Sequence, residues 1–277
     1  MKTMLMLLAV AAPWMDAAAT PAAFQDYQDY LLGGAPEAMV TADINNDHNS
    51  DLVIATGGGT FVMLGKPNGT FGTPIAVQPD FSTSIAVADF DGDGNLDVIS
   101  TILTNGTQLN LALGNGNGTF GAPRTLNIGC TDCYLAAADF NGDGRMDLAV
   151  ASTSSLAIYL GTGHGAFLPE RQVYSLNFAV AIATADLNKD GKADIVVSDL
   201  GAQTGVVFLS TGRGDFNSTS YPAGSEPGQV ILPDLNGDGL PDMVSVDRTN
   251  DLVLVRLNLG KGVLGSMGPE RFGMFAI

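Results

Sequence analysis

The chain repeats itself. An aspartate opens the same nine-residue pattern at Asp43 (DINNDHNSD), Asp89 (DFDGDGNLD), Asp139 (DFNGDGRMD), Asp186 (DLNKDGKAD) and Asp234 (DLNGDGLPD), at intervals of 46, 50, 47 and 48 residues. A fixed period of this length marks stacked or radially arranged supersecondary units. Asp, Asn and Gly also gather where turns are needed, but turn chemistry explains one such loop and poorly explains five with the same inward set.

Oxygen-bearing side chains occupy positions 1, 3, 5 and 9 of each copy, and alternate residues of a tightly curled loop point inward. A hard divalent cation needs this chemistry: calcium takes roughly six to eight oxygens at about 2.3–2.6 Å, whereas magnesium prefers a smaller octahedron and keeps its waters. The candidate ligand sets are Asp43, Asn45, Asp47, Asn49 and Asp51; Asp89, Asp91, Asp93, Asn95 and Asp97; Asp139, Asn141, Asp143, Arg145 and Asp147; Asp186, Asn188, Asp190, Lys192 and Asp194; and Asp234, Asn236, Asp238, Leu240 and Asp242. The position-7 residues Asn49, Asn95, Arg145, Lys192 and Leu240 are expected to contribute backbone carbonyls. Up to five Ca2+ ions are expected. The second loop has four carboxylates and glycines at 92 and 94; the first has three, with Asn46 and His48 at the bends, and is expected to be the weakest. Without the sixteen aspartates at ligand positions, the formal net charge of −17 would be about −1. The acidity of the chain is the acidity of its loops.

An EF-hand would require a bidentate Glu at position 12 between helices, yet position 12 is Ile54, Ser100, Val150, Val197 or Ser245. Apolar, β-branched runs such as Leu52-Val53-Ile54 and Ile195-Val196-Val197 follow the loops, and short apolar runs such as Ser84-Ile85-Ala86-Val87-Ala88 precede them. Each loop therefore sits in a strand-loop-strand hairpin. Ala42, Ala88, Ala138 and Ala185 stand directly before four of the loops, small enough for crowded inner strands.

A second signature follows each loop: Leu64 to Phe71, Leu113 to Phe120, Leu160 to Phe167, Leu209 to Phe216 and Leu257 to Leu264, the two apolar anchors always seven residues apart. Glycine-rich turns between such anchors read as hairpins of outer strands, with a further strand beyond, as at Thr73-Pro74-Ile75-Ala76-Val77. Four antiparallel strands in roughly 48 residues make one propeller blade. The predicted fold is all-β, a β-propeller with five loop-bearing repeats. Phe24 to Leu32 and Gly268 to Ile277 compete to complete the last blade.

The five DxDGDGxxD-type loops, with Phe71-Gly72 and Phe120-Gly121-Ala122-Pro123, resemble the FG-GAP (VCBS) repeat family, which includes the integrin alpha-chain propeller and bacterial surface proteins. The resemblance covers about residues 24 to 277. It implies calcium in the loops and a propeller over 20–277, either a five-bladed ring, a ring with gaps or part of the seven-bladed ring of better-known members. On activity it says little, because the family includes adhesion modules, lectin-like proteins and enzyme-appended domains.

Residues 1–19 combine Lys2, an apolar run from Met4 to Ala12 and a small-residue end at Ala17-Ala18-Ala19, which reads as a secretory signal peptide cut before Thr20. That run is too short for a transmembrane anchor, so no membrane insertion of the mature chain is expected. Twelve Lys plus Arg without a cluster argue against nucleic acid. Cys130 and Cys133 cannot close a four-ligand zinc site and are read as a local disulfide. Arg213-Gly214-Asp215 spells an adhesion tripeptide but occupies a hairpin turn, and the sequons at Asn68, Asn105, Asn117 and Asn217 read first as turns. His48 and His164 lie near no Ser or Cys pattern, so no constellation for nucleophilic catalysis is visible. Two classes of function remain. The favoured one is a secreted or cell-surface binding or adhesion module with structural calcium and an extracellular protein or glycan as partner. The other is a calcium-dependent enzyme or accessory domain acting on polysaccharide. A lectin role, a sub-case of the first class, is weakened because the only tryptophan, Trp14, lies in the signal segment, but the six tyrosines can substitute as stacking platforms.

Overall fold

The computed structural model describes residues 28–103, 108–130, 132–170 and 172–266, and every regular element among them is a strand. Each repeat folds into one antiparallel sheet whose strands follow chain order. Blade 1 comprises β1 (Pro36–Ala42), β2 (Asp51–Thr56), β3 (Gly59–Met63) and β4 (Ile75–Gln78). Blade 2 comprises β5 (Ile85–Ala88), β6 (Asp97–Ile102), β7 (Gln108–Ala112) and β8 (Arg124–Gly129). Blade 3 comprises β9 (Tyr134–Ala138), β10 (Asp147–Ala151), β11 (Ser155–Tyr159) and β12 (Gln172–Ser175). Blade 4 comprises β13 (Ala179–Ala185), β14 (Asp194–Asp199), β15 (Thr204–Ser210) and β16 (Phe216–Pro222). Blade 5 comprises β17 (Pro227–Ile231), β18 (Met243–Asp247) and β19 (Leu252–Arg256), three strands among the described residues. Of the two segments expected to complete it, Gln28–Leu32 carries no strand, while residues 24–27 and 267–277 lie outside the described residues. So does the expected signal segment, residues 1–19.

The second strand of a blade is sandwiched between its neighbours, which is why its sequence is apolar on both faces. Every residue of β6, β10 and β14 is buried. Outer strand β16 instead buries Phe216 and exposes a polar run. The inner strands lie side by side in chain order, β1 against β5, β5 against β9, β9 against β13 and β13 against β17. Four apolar clusters fill the four junctions between consecutive blades. Among the described residues no fifth cluster joins blade 5 to blade 1.

Position 2 of the first four loops proves to be a core residue. Ile44, Phe90, Phe140 and Leu187 are all at most 1% exposed, each in the cluster shared with the following blade. Leu235, their counterpart in blade 5, is only half-buried, as are Val244, Val246, Val253 and Val255 on strands β18 and β19. The hairpins of the second signature also form: Gly65 bridges Phe71, Gly114 bridges Phe120, Gly161 bridges Phe167 and Asn258 bridges Leu264.

Cys130 and Cys133 are disulfide-bonded, tying the end of β8 to the start of β9. Arg213-Gly214-Asp215 lies in the turn closed by the Thr211 N–H donating to the Asp215 carbonyl at 2.9 Å. Asn68 and Asn117 act as turn residues, their Oδ1 accepting the N–H of Thr70 and Thr119; Asn105 lies outside the described residues.

Candidate calcium-binding loops

Each loop joins the inner strand of a blade to its second strand by wrapping around the position-1 carboxylate. The N–H of position 6 donates to its Oδ2 in all five copies, from His48 (2.8 Å), Gly94 (2.9 Å), Gly144 (2.7 Å), Gly191 (2.8 Å) and Gly239 (2.7 Å). The wrap puts positions 4 and 6 in the left-handed region, where a Cβ crowds the following carbonyl. Glycine meets that demand at 92, 94, 142, 144, 191, 237 and 239. Loop 1 uses Asn46 (φ 59°) and His48 (φ 67°) instead, and loop 4 uses Lys189 (φ 58°).

Position 9 is a buried clamp. Asp51, Asp97, Asp147, Asp194 and Asp242 are 0% exposed. Their Oδ2 accepts the position-2 N–H at 2.8–3.0 Å. Their Oδ1 accepts the N–H of Gly65, Gly114, Gly161, Ser210 or Asn258 at 2.7–2.8 Å. One carboxylate thus ties the loop to the start of the second signature. Those glycines are required by close approach, since a Cβ on Gly65, Gly114 or Gly161 would stand 2.2, 2.1 or 2.1 Å from a backbone oxygen of Ser50, Leu96 or Met146. In blades 4 and 5 Ser210 and Asn258 take the place, and their side chains donate to the carbonyls of Phe140 and Leu187 in the preceding blade.

In loop 2, carboxylate oxygens of Asp89, Asp91 and Asp97 all lie within 4.8 Å of one another. Two oxygens each about 2.4 Å from a calcium ion stand at most about 4.8 Å apart, a limit that this set meets. Asp93, expected in the same set, is not in this group; its Oδ1 accepts the Asn95 N–H at 2.7 Å and its Oδ2 the Asn95 side-chain amide at 2.9 Å. The same backbone bond recurs at every position 5, where Asn49, Arg145, Lys192 and Leu240 donate to Asp47, Asp143, Asp190 and Asp238. In the other four loops position 3 is an amide, and Asn45, Asn141, Asn188 and Asn236 donate through Nδ2 to the position-5 carboxylate. The side chains of Lys192 and Arg145 also turn to position 5, at 3.2 Å from Asp190 and 3.7 Å from Asp143.

The FG-GAP-like repeat pattern matches residues 23–100, 101–150 and 139–197. The chain belongs to the FG-GAP-like repeat family. Phosphatidylinositol-glycan-specific phospholipase D of Mus musculus is 28% identical over 149 residues, 41% of this chain and 18% of that protein. The Homo sapiens protein of the same name is 26% identical over 151 residues, 42% of this chain and again 18% of its own length. The match thus spans less than a fifth of these relatives. Among solved structures, an Agrocybe aegerita lectin recognising non-reducing terminal N-acetylglucosamine superposes with TM-score 0.57 and 23% identity over 84% of this chain and 65% of its own. The BP39L lectin of Burkholderia pseudomallei gives TM-score 0.64 and 15% identity over 84% and 69%. These likenesses establish the propeller fold.

The FG-GAP loops differ in how well they are shaped for an ion, and a ranking follows. Loop 2 brings three carboxylates together on two glycine bends, whereas loop 1 has two non-glycine residues in left-handed geometry. Asp89→Ala is expected to cost more stability in calcium than Asp43→Ala; thermal melts of the two variants with and without calcium check this, and the reverse order refutes it.

Burial pushes the carboxyl groups of Asp97, Asp147 and Asp194 up to about 6, with the neighbouring loop aspartates adding repulsion and the backbone N–H bonds opposing. A raised folded-state value stabilises the protonated form, so this contribution is fully present below the unfolded value and is lost as pH rises through about 6. In chelator the protein is therefore expected to gain stability on going from pH 7 to pH 5. The exposed Asp47 and Asp93, held low by backbone bonds from Asn49 and Asn95, act in the opposite direction but are screened by solvent. With calcium bound the slope reverses, because protons compete with the ion. Melts at both pH values in both conditions test the pair of signs; a chelated protein that melts lower at pH 5 contradicts them.

Proposed function

We propose that this protein is an exported FG-GAP propeller that binds glycan, with calcium serving shape and not chemistry. The observation that carries the structural role is the position-9 aspartate. It is buried, and both of its oxygens are tied to backbone of its own blade, so an ion held by Asp89, Asp91 and Asp97 would brace two hairpins of the blade together. A catalytic ion instead keeps an open position for water or substrate. Residues Asp43, Asp139, Asp186 and Asp234 with their loop partners would hold the other ions. Export is supported by the disulfide between Cys130 and Cys133, a bond that persists in oxidising compartments.

Glycan is favoured over protein as partner because two of the superposing propellers are lectins. The test is a screen of the calcium-loaded protein on a glycan array, with a protein array beside it. Retention of a defined glycan family is expected, and retention of no glycan overturns the reading. A second reading, hydrolysis, has one observation in its favour, the partial match to the phosphatidylinositol-glycan-specific phospholipases. Turnover of polysaccharide, lipid or phosphoester substrates that vanishes on mutating Asp91, in a protein shown to be folded, would promote it.

A further inference from the structure

The junction between blades 3 and 4 differs from the other three. At the ladder position where the outer strand of one blade meets the next blade, junction 1/2 holds Gln78. Its Oε1 accepts the Asn110 amide at 3.0 Å and its Nε2 donates to the Thr101 carbonyl at 3.3 Å, so the buried Gln78 side chain is tied to the next blade at both ends of its amide. The same position carries Leu126 at junction 2/3, packed into the cluster that contains Tyr159. At junction 4/5 it carries Tyr221, under the Arg256 guanidinium at 5.4 Å, which also donates to the Pro222 and Gly265 carbonyls. At junction 3/4 it carries Tyr174, edge-on to Phe208 with ring centroids 5.1 Å apart, and a cavity of about 390 Å3 remains beside them.

The lining of this cavity is selective. The Tyr174 ring is fixed, because its hydroxyl accepts the Phe216 N–H at 2.7 Å and donates to the Phe216 carbonyl. Ser218 and Ser220 line the cavity from alternate positions of β16, and so from one face of that strand. Asp199 is buried; each of its oxygens accepts one backbone N–H, from Asn177 and Ala202, and keeps acceptor capacity. The Thr204 hydroxyl is buried and makes no hydrogen bond. An orphaned buried hydroxyl costs free energy unless something binds it. Among the described residues no Lys, Arg or His lines the space.

We infer that this cavity is a binding site for one neutral sugar residue of a glycan. Vicinal hydroxyls suit Asp199, Thr204, Ser218 and Ser220, while the apolar C–H face of a pyranose suits the half-buried Tyr174 ring. The volume falls at the small end of the roughly 300–1,000 Å3 range of ligand pockets. A carboxylate without a facing cation disfavours phosphates and acidic sugars. The inference rests on the glycan reading above and names the place where it operates.

The experiment is titration of the calcium-loaded protein with methyl β-N-acetylglucosaminide, methyl α-mannoside, methyl α-fucoside and N-acetylneuraminic acid, followed by NMR. At least one neutral glycoside is expected to bind and the acidic sugar to fail. Thr204→Val, which removes only the hydroxyl, is expected to weaken binding about fivefold, the size of one lost hydrogen bond. Ser220→Trp, an exposed position, is expected to abolish it with the melting temperature unchanged. Neutral-sugar binding that survives both substitutions overturns this site and leaves the glycan reading standing. No response to any sugar, with an empty glycan array, overturns both. Equal binding of the acidic sugar overturns the stated ligand class.

Discussion

Removal of calcium is expected to lower the melting temperature by roughly 14–28 °C. Extracellular calcium modules bind at about 10⁻⁴–10⁻³ M, so a site at the tight end in about 1 mM calcium contributes roughly 1.4 kcal/mol by RT ln(1 + [L]/Kd). Five such sites contribute about 7 kcal/mol, and about 1 kcal/mol moves the midpoint of a domain this size by roughly 2–4 °C. Since whole domains are stable by only about 5–15 kcal/mol, the ions are expected to decide whether the blades hold at all. Magnesium should restore the melt poorly. A scan in excess chelator that superimposes on the calcium scan would remove the loops as structural calcium sites.

The second large effect is expected at the buried clamp. Asp147→Ala strands two buried backbone donors, the N–H groups of Phe140 and Gly161. Each costs about 1–3 kcal/mol when left unpaired, and the relief of burying a carboxylate offsets part of this, so a net loss of at least about 2 kcal/mol is expected. The comparison is Asp143→Ala in the same loop, whose carboxylate is partly exposed and bonded mainly within the loop. Chelator separates the two roles. Without calcium, Asp147→Ala should remain strongly destabilising while Asp143→Ala approaches the parent protein; with calcium both should lose ground. Denaturant unfolding in both conditions provides the numbers, and equal losses in chelator would mean that position 9 is only a ligand.

Much of this was legible in the sequence because repetition multiplies weak signals. One apolar run cannot be assigned to strand or helix from periodicity alone, yet five runs at the same offset from the same loop can. The left-handed bends at Asn46 and His48 were visible as the loop positions that lack glycine. Of the four carboxylates expected to converge in loop 2, Asp89, Asp91 and Asp97 stand together, while Asp93 accepts the backbone N–H and the amide of Asn95. Position 2 was missed as core, although its apolar identity in all five copies, Ile44, Phe90, Phe140, Leu187 and Leu235, was available as a signal.

Spacing and composition were enough to dictate the blade, the strand-loop-strand unit and the candidate ligand set. These are local properties, since the loop closes over nine residues and the hairpin over seven. How blades meet is a non-local matter, and only the tertiary structure decided it. Gln78, Leu126, Tyr174 and Tyr221 occupy one ladder position in four consecutive blades, yet what each leaves beside it depends on Asn110, Tyr159, Phe208 or Arg256 arriving from the next repeat. At Tyr174 an edge-on aromatic pair stands beside a cavity, where Gln78 meets a hydrogen-bonded amide and Tyr221 a stacked guanidinium. That difference is set by packing between residues more than thirty positions apart, and no repeat carries it alone.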